Sequence, residues 1–269
     1  MTTYVIGDIQ GCFSGFEALL KKIAFDPTHD KLIAVGDIVA RGENSLAVVE
    51  YCYDLGDRFC MVLGNHDLHL LAIHAGLRDV KSSDKLDALL RSPKLNTYID
   101  WLRHFPLVKR WQKDTLISHA GLYPKWSFDE ARACSRFVET QLRSDDYQHM
   151  LASMYGNEPD RWKPKKLSSS QKTRFIINAC TRMRYVDQNL ALDFACKLTP
   201  KLAPKELQPW FNVTNPNINR HERVIFGHWA SLQGHTGSTQ FIATDTGYVW
   251  GNALTAIKIK NGKRYQIEA

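Results

Sequence analysis

The chain has 269 residues, 44% of them hydrophobic and 23% charged. That is close to an average soluble globular composition and excludes global disorder, and a chain this long buries roughly 70–75% of its unfolded surface without help from disulfides. Thirty-five basic against 28 acidic side chains give a net charge of +7, which suits an anionic partner without naming one.

No apolar run approaches the ~18 residues of a membrane span, so no membrane partner is expected. The opening segment lacks a basic flank and is interrupted by Asp8, which argues against a secretion signal. The six cysteines show no CxxC spacing and read as reduced thiols in a cytoplasmic protein.

Thr3 to Gly7 is a short β-rich run ending in Gly-Asp. Ser14 and Glu17 have capping-box spacing before Phe16, Leu19, Leu20 and Ile23, which recur at helical intervals. Leu32 to Gly36 is a second strand, again followed by Asp. Asn44 is placed to cap a helix carrying Leu46, Val49 and Cys52, with Gly56 as its stop. Phe59 to Gly64 forms a third strand, and a helix follows through Leu68, Leu71 and Ala72 to Gly76. This βαβαβα order predicts a parallel sheet with crossover helices.

The middle is mainly helical. Ser83 to Leu90 and Thr97 to His104 look amphipathic, and Leu107–Trp111 and Thr115–Ser118 read as paired strands. Ser127 and Glu130 form another capping box before a helix through Phe137 and Leu142. A polar, basic stretch from Asn157 to Gln171 reads as a surface loop, and a helix with Phe175, Ile176 and Ala179 follows. Four prolines between Thr199 and Arg220 suggest an extended excursion. β character returns at Val224–Gly227, Phe241–Thr244, Leu254–Lys260 and Tyr265–Ile267.

Five segments place metal-capable side chains directly after an apolar strand: VIGDIQG, AVGDIVARG, VLGNHD, LISHAG and VIFGHW. They carry Asp8 and Gln10, Asp37 and Arg41, Asn65, His66 and Asp67, His119, and His228. Ligands of α/β sheets gather outside the carboxyl ends of strands. A mixed set of carboxylates, amides and imidazoles there suits two divalent ions bridged by one carboxylate. Each piece has a plainer reading, since Gly-Asp is a common turn and a lone histidine is usually structural. His69 and His74 are left as structural. The five pieces together, in this order, are hard to obtain by chance.

GDIQG, GDIVARG, GNHD, HAG and GHW resemble the ordered signature of the calcineurin-like metallophosphoesterases, in the branch that contains the phosphoprotein phosphatases. GNHDLHLLA, TRMRY, FGHWASL and TDTGYVWGNAL are similar, within that superfamily, to the bacterial symmetrical diadenosine tetraphosphatases. The resemblance implies an α/β fold, a four-layer α-β-β-α sandwich. It also implies one catalytic domain over residues 1–269, with mainly helical insertions at about 77–105 and 125–220. Asp8, Gln10 and Asp37 would hold one metal, with Asp37 bridging to a second held by Asn65, His119 and His228. His66 would be the general acid with Asp67 beside it, and Arg41 would clamp phosphate. The implied substrate is a dinucleoside polyphosphate, diadenosine tetraphosphate, cut symmetrically to two ADP, with nucleoside-tetraphosphate-capped RNA as a further candidate and a monomer as the working form. Gln10 stands where the wider family has His, so the first metal is expected to bind loosely and to favour Mn²⁺, with Co²⁺ as the alternative. Ala40 stands where phosphoprotein phosphatases have an Asp paired to the catalytic histidine.

Arg161 to Arg184 holds eight basic residues and no acidic one. Its lysines read as a solvated face, whereas Arg182 and Arg184 read as substrate-binding. Trp126, Trp162, Trp229 and Trp250 are candidates for base stacking or for core. A Ser/Thr protein phosphatase using the same metal site, and a non-catalytic nucleotide sensor, remain the alternatives.

Overall fold

The computed structural model describes residues 1–269. The first third alternates as predicted: β1 (Thr3–Ile6), α1 (Phe13–Lys22), β2 (Lys31–Ala34), α2 (Ser45–Asp54), β3 (Phe59–Met61) and α3 (Asn65–His74). β1, β2 and β3 pair in parallel. The middle contributes α4 (Asp87–Leu90), α5 (Leu95–Leu102), β4 (Val108–Trp111), β5 (Thr115–Ser118), α6 (Phe128–Leu142), α7 (Tyr147–Ser153) and α8 (Ser169–Thr181). Three two-residue strands follow, β6 (Tyr185–Val186), β7 (Leu192–Asp193) and β8 (Gln208–Pro209). The chain ends with β9 (Arg223–Phe226), β10 (Phe241–Ala243), β11 (Ala253–Lys258) and β12 (Lys263–Glu268).

Two main sheets result. One runs β12-β11-β1-β2-β3 and the other β10-β9-β5-β4, with β7-β6-β8 as a small third sheet. Strand alternation divides the core into layers. Val5 and Ile33 of the first sheet meet Ile117 and Ile225 of the second, all of them buried between the sheets. Their neighbours Tyr4, Ile6, Leu32 and Ala34 point the other way, into a 61-residue cluster with the helices. Leu116, Val224 and Phe226 do the same on the second sheet. This is the expected four-layer α-β-β-α sandwich.

Local chemistry explains where the elements start and stop. Asn44 accepts the Ala47 N–H at 3.0 Å and caps α2. Ser127 and Glu130 close their capping box at the head of α6. The Ser14–Glu17 box does not form. α1 already begins at Phe13, and both the N–H and the hydroxyl of Ser14 donate to Glu43 at 2.8 Å. The Ser83–Leu90 helix is broken as well. Lys85 takes a left-handed φ of 51°, separating a 3₁₀ turn at Ser82–Asp84 from the short α4. The polar loop after Asn157 ends earlier than its composition suggests, because Ser168 and Gln171 form a capping box for α8. α7 carries no strong periodic signal, and it packs against α3, α6 and α8.

Phe175 of α8 is fully buried against Tyr123, Trp126 and Trp162. That cluster is part of the 61-residue core shared by the helices and both sheets, so the helical middle is expected to unfold together with the sheets. Phe175→Ala should lower stability by about 3–5 kcal/mol. Urea denaturation followed by fluorescence and by circular dichroism should show one coincident transition in both proteins.

Candidate active site

The loops after β1, β2, β3, β5, β9 and β10 converge on one edge of the sandwich. Gln10 N–H donates to the Asp37 carbonyl at 2.8 Å and Gly11 N–H to the Ile38 carbonyl at 3.0 Å, joining the first two loops. Asp37 is the central group. Its Oδ1 accepts the His66 N–H at 2.7 Å, and its Oδ2 lies 3.4 Å from His119 Nε2. Asp8 accepts the His228 N–H at 3.1 Å. Ligand atoms of Asp8, Asp37 and His119 all lie within 4.8 Å of one another.

His119 Nδ1 donates to the Val35 carbonyl at 2.9 Å, so Nε2 is the nitrogen that faces the site. The Asn65 amide sits between the two imidazoles. Turned one way, its nitrogen donates to Thr181 O at 3.0 Å, His228 Nδ1 at 3.0 Å and His119 Nε2 at 3.3 Å. Turned the other way, its oxygen joins both rings as a third donor.

Charge follows burial. Burial raises the Asp8 carboxyl well above the usual carboxylate range, and the neighbouring Asp245 adds to it. Burial would raise Asp37 too, but His119 and His66 together outweigh it and hold the group at about 2. His119 is the counterpart: burial would lower it, yet Asp37 and Asp8 push it up to about 10. Burial, then the Arg184 guanidinium, drives His228 well below the ordinary imidazole value. Asp245 is raised to about 6, chiefly by burial.

A cavity of about 550 Å³ opens above this cluster. Asp8, Gln10, Asp37, Arg41, Asn65, His66, Arg182, Arg184 and His228 all line it. His119 lies beneath, fully buried. Arg182 is held in place by Asn178 Oδ1 at 2.9 Å, Asn157 Oδ1 at 3.1 Å and the Phe194 ring at 4.4 Å. Arg184 donates to the His228 carbonyl at 2.9 Å. Of the other basic residues in that stretch, Arg174 binds the Ser153 and Glu158 carbonyls and supports the fold.

Asp67 is placed differently from the expectation of a group beside His66 at the chemistry. It lines no part of the cavity. Its fully buried carboxylate accepts N–H groups of Asp37 at 2.7 Å, Gly64 at 2.8 Å and Ile38 at 3.1 Å. Asp67 is therefore a positioning residue. Two charged lining residues escaped the sequence reading, Asp245 and Lys197. Asp245 follows β10 in TDTG, the same strand-then-carboxylate pattern as Asp8, so a signal was there. Lys197 lies in an irregular stretch and had none. Of the four tryptophan candidates, Trp126 is core, Trp229 is buried with one side on the cavity and Trp162 packs on Trp126. Trp250 is 64% exposed at the cavity wall.

The backbone is strained at this place. Ten non-glycine residues have positive φ, and Gln10, Asp37, Ala40, Arg41 and His228 are half of them. Such conformations persist where surrounding structure enforces them, often at functional sites.

A profile of the calcineurin-like phosphoesterases matches residues 1–232. The chain belongs to the calcineurin-like phosphoesterase family. It is 43% identical over 269 residues to the symmetrical bis(5'-nucleosyl)-tetraphosphatase of Histophilus somni (strain 2336), covering 100% of this chain and 97% of that protein. It is 46% identical over 258 residues to the enzyme of the same name from Haemophilus ducreyi, covering 96% and 95%. A crystal structure provisionally described as a diadenosine tetraphosphatase superposes with a TM-score of 0.63 at 26% identity, covering 99% of this chain and 93% of that one.

Membership in this phosphoesterase family implies divalent metal ions, and the residues present fit them. Three carboxylates crowd one buried spot, two imidazoles and an amide converge beside it, and His228 Nε2 is buried without a protein partner. Close approach is built in, because a Cβ on Gly64 would collide with the Asp37 carboxylate and one on Gly227 with that of Asp8. Asp67→Ala would leave three buried N–H groups unpaired at about 1–3 kcal/mol each. It should lower stability by about 3 kcal/mol or more and reduce bound metal. Urea denaturation and metal analysis of dialysed protein check both.

Proposed function

We propose that the chain hydrolyses diadenosine 5',5'''-P1,P4-tetraphosphate symmetrically to two ADP. The observation that carries this reading is the site itself: a buried carboxylate–imidazole floor under a wall of Arg41, Arg182 and Arg184, in a chain aligned end to end with enzymes named for that reaction. Asp8, Gln10 and Asp37 would hold a first divalent ion, and Asn65, His119 and His228 with Asp37 would hold a second. Mn²⁺ is the preferred ion and Co²⁺ a substitute, given the oxygen-rich donor set around Gln10. When bound, the ions supply Lewis acidity at phosphoryl oxygens and activate water at neutral pH.

The chain's own groups do the rest. Arg41, Arg182 and Arg184 bind and orient the polyphosphate. Arg41 is well placed, since its Nε is buried without a protein acceptor and guanidinium geometry suits phosphate oxygens. Water oxygen adds to one inner phosphorus as the central P–O bond breaks. The His66 imidazolium gives its proton to the departing oxygen of one ADP, and the other ADP keeps the water oxygen. RNA capped with a nucleoside tetraphosphate presents the same linkage and is a second substrate class. We place the enzyme in the cytoplasm as a monomer, in keeping with its six free cysteines. Purified protein, Mn²⁺ and the dinucleotide should yield ADP alone on anion-exchange chromatography. AMP plus ATP, or turnover of a phosphopeptide only, would overturn the reading.

His66→Asn should cut kcat by about 10²-fold or more, while metal content stays at the wild-type level. Loss of metal would instead make His66 a ligand. Gln10→Ala should raise the Mn²⁺ concentration needed for half-maximal activity, with most activity recovered at saturation. An Mn²⁺-independent loss would mean that Gln10 orients water rather than metal.

A further inference from the structure

A second cavity, of about 340 Å³, adjoins the first. The two share Arg41, Asn65, His66 and Arg182, which form a ridge between them. Beyond the ridge the linings diverge. The larger cavity holds the carboxylate cluster, whereas the smaller is walled by Leu68, His69, Met154, Tyr155 and Ile177, with Asp84 among its polar groups. Most of the lining residues are polar, with an apolar and aromatic strip at Leu68, Met154, Tyr155 and Ile177; that suits a polar ligand with one flat apolar part, and the volume is in the usual range for a small-molecule site.

The wall is fixed in place. Tyr155 Oη is 2.9 Å from His69 Nδ1, and the Arg78 guanidinium lies 3.9 Å from the Tyr155 ring centre. His69 Nε2 is 3.9 Å from the Asp84 carboxylate, which also accepts the Lys81 N–H at 2.9 Å. The Asp84 carbonyl accepts the Arg41 N–H at 2.9 Å. The smaller cavity and the phosphate-facing arginine are thus parts of one hydrogen-bonded unit. None of the metal-capable carboxylates Asp8, Asp37 and Asp245 lines it.

We infer that this cavity is a nucleoside subsite, taking the purine of one half of a dinucleoside polyphosphate whose phosphate chain crosses the ridge at Arg41, His66 and Arg182. The inference rests on the dinucleotide reading above and deepens it. A symmetric cut needs the central phosphoanhydride at the chemical centre with a nucleoside on each side. The larger cavity, with Phe194 and Trp250 in its lining, offers a place for one of them. The smaller begins at His66, the group placed to protonate a departing nucleotide, and so receives the half that leaves. Tyr155 and His69 offer flat walls for a base, and Asp84 offers an acceptor for an exocyclic amine. A base anchored there fixes how many phosphates reach the ridge, which selects the bond that breaks.

The test counts product sites. Equilibrium dialysis of labelled ADP against the Mn²⁺-loaded protein should show two ADP per chain. Tyr155→Ala should weaken one of the two by about 10-fold, and Ile177→Trp, which fills the cavity, should leave one. If Ile177→Trp fails to fold, Tyr155→Ala decides alone. One ADP per chain in the wild type, or two unchanged in the variants, overturns the subsite. Hydrolysis of the dinucleotide by wild-type protein is read separately. Its absence would overturn the function, while the ADP count would still judge the cavity.

Discussion

The buried carboxylate of Asp67 is the interaction on which the site depends. Its three N–H partners belong to the loops after β2 and β3, so one side chain ties two strand ends together. The tie fixes the Asp37 backbone, and the Asp37 carboxylate in turn binds the His66 N–H and faces His119. Burial and the neighbouring Asp37 charge push Asp67 up to about 7. A group held against its own electrostatic preference in this way is retained for position. The backbone next to it is held as well, since Ala40 and Arg41 both adopt left-handed φ values, 75° and 70°.

Strain and close packing serve the same end. Crowding carboxylates within reach of one another requires loops that turn sharply and approach without side chains between them. Gly64 and Gly227 supply the second requirement, and the left-handed Gln10, Asp37 and His228 supply the first. Each such residue costs of order 1–3 kcal/mol. The two-sheet core, packed on both faces of each sheet, is what can hold them.

Much of this was legible in the residues. Apolar runs ending in Gly-Asp, Gly-Asn-His-Asp and Gly-His located the strand ends, and the parallel βαβ order followed from the spacing. Capping chemistry was readable where the helix had no rival start, as at Asn44 and Ser127. It failed at Ser14, where Glu43, distant in sequence, competes for the same groups. The role of Asp67 was invisible because a carboxylate beside a histidine in sequence looks catalytic, whereas α3 turns it towards the backbone of another loop. The smaller cavity was invisible for a similar reason. Leu68 and His69 come from α3, Tyr155 follows α7, Ile177 lies on α8, and nothing in their spacing foretells that they meet. His69 read as structural because it has no partner on its own helix; its partners are Tyr155 and Asp84.

The electrostatics explain why floor and wall carry opposite signs. Asp8, Asp37 and Asp245 share a buried space in which burial raises Asp8 and Asp245, Asp245 to about 6, while His119 and His66 hold Asp37 down at about 2. The floor is thus short of positive charge, and His119 meets part of that deficit by its own raised affinity for a proton. A polyanion entering alone would worsen the deficit. Arg182 and Arg184 oppose it from the wall; burial lowers both groups, yet a guanidinium keeps its charge at neutral pH. Divalent cations at the floor would let the carboxylates ionise together, release the proton from His119 Nε2 and leave the arginines free to face phosphate. Cations below and a polyanion above would give the floor carboxylates and the wall arginines neighbours of opposite sign, which is the arrangement the proposed function calls for.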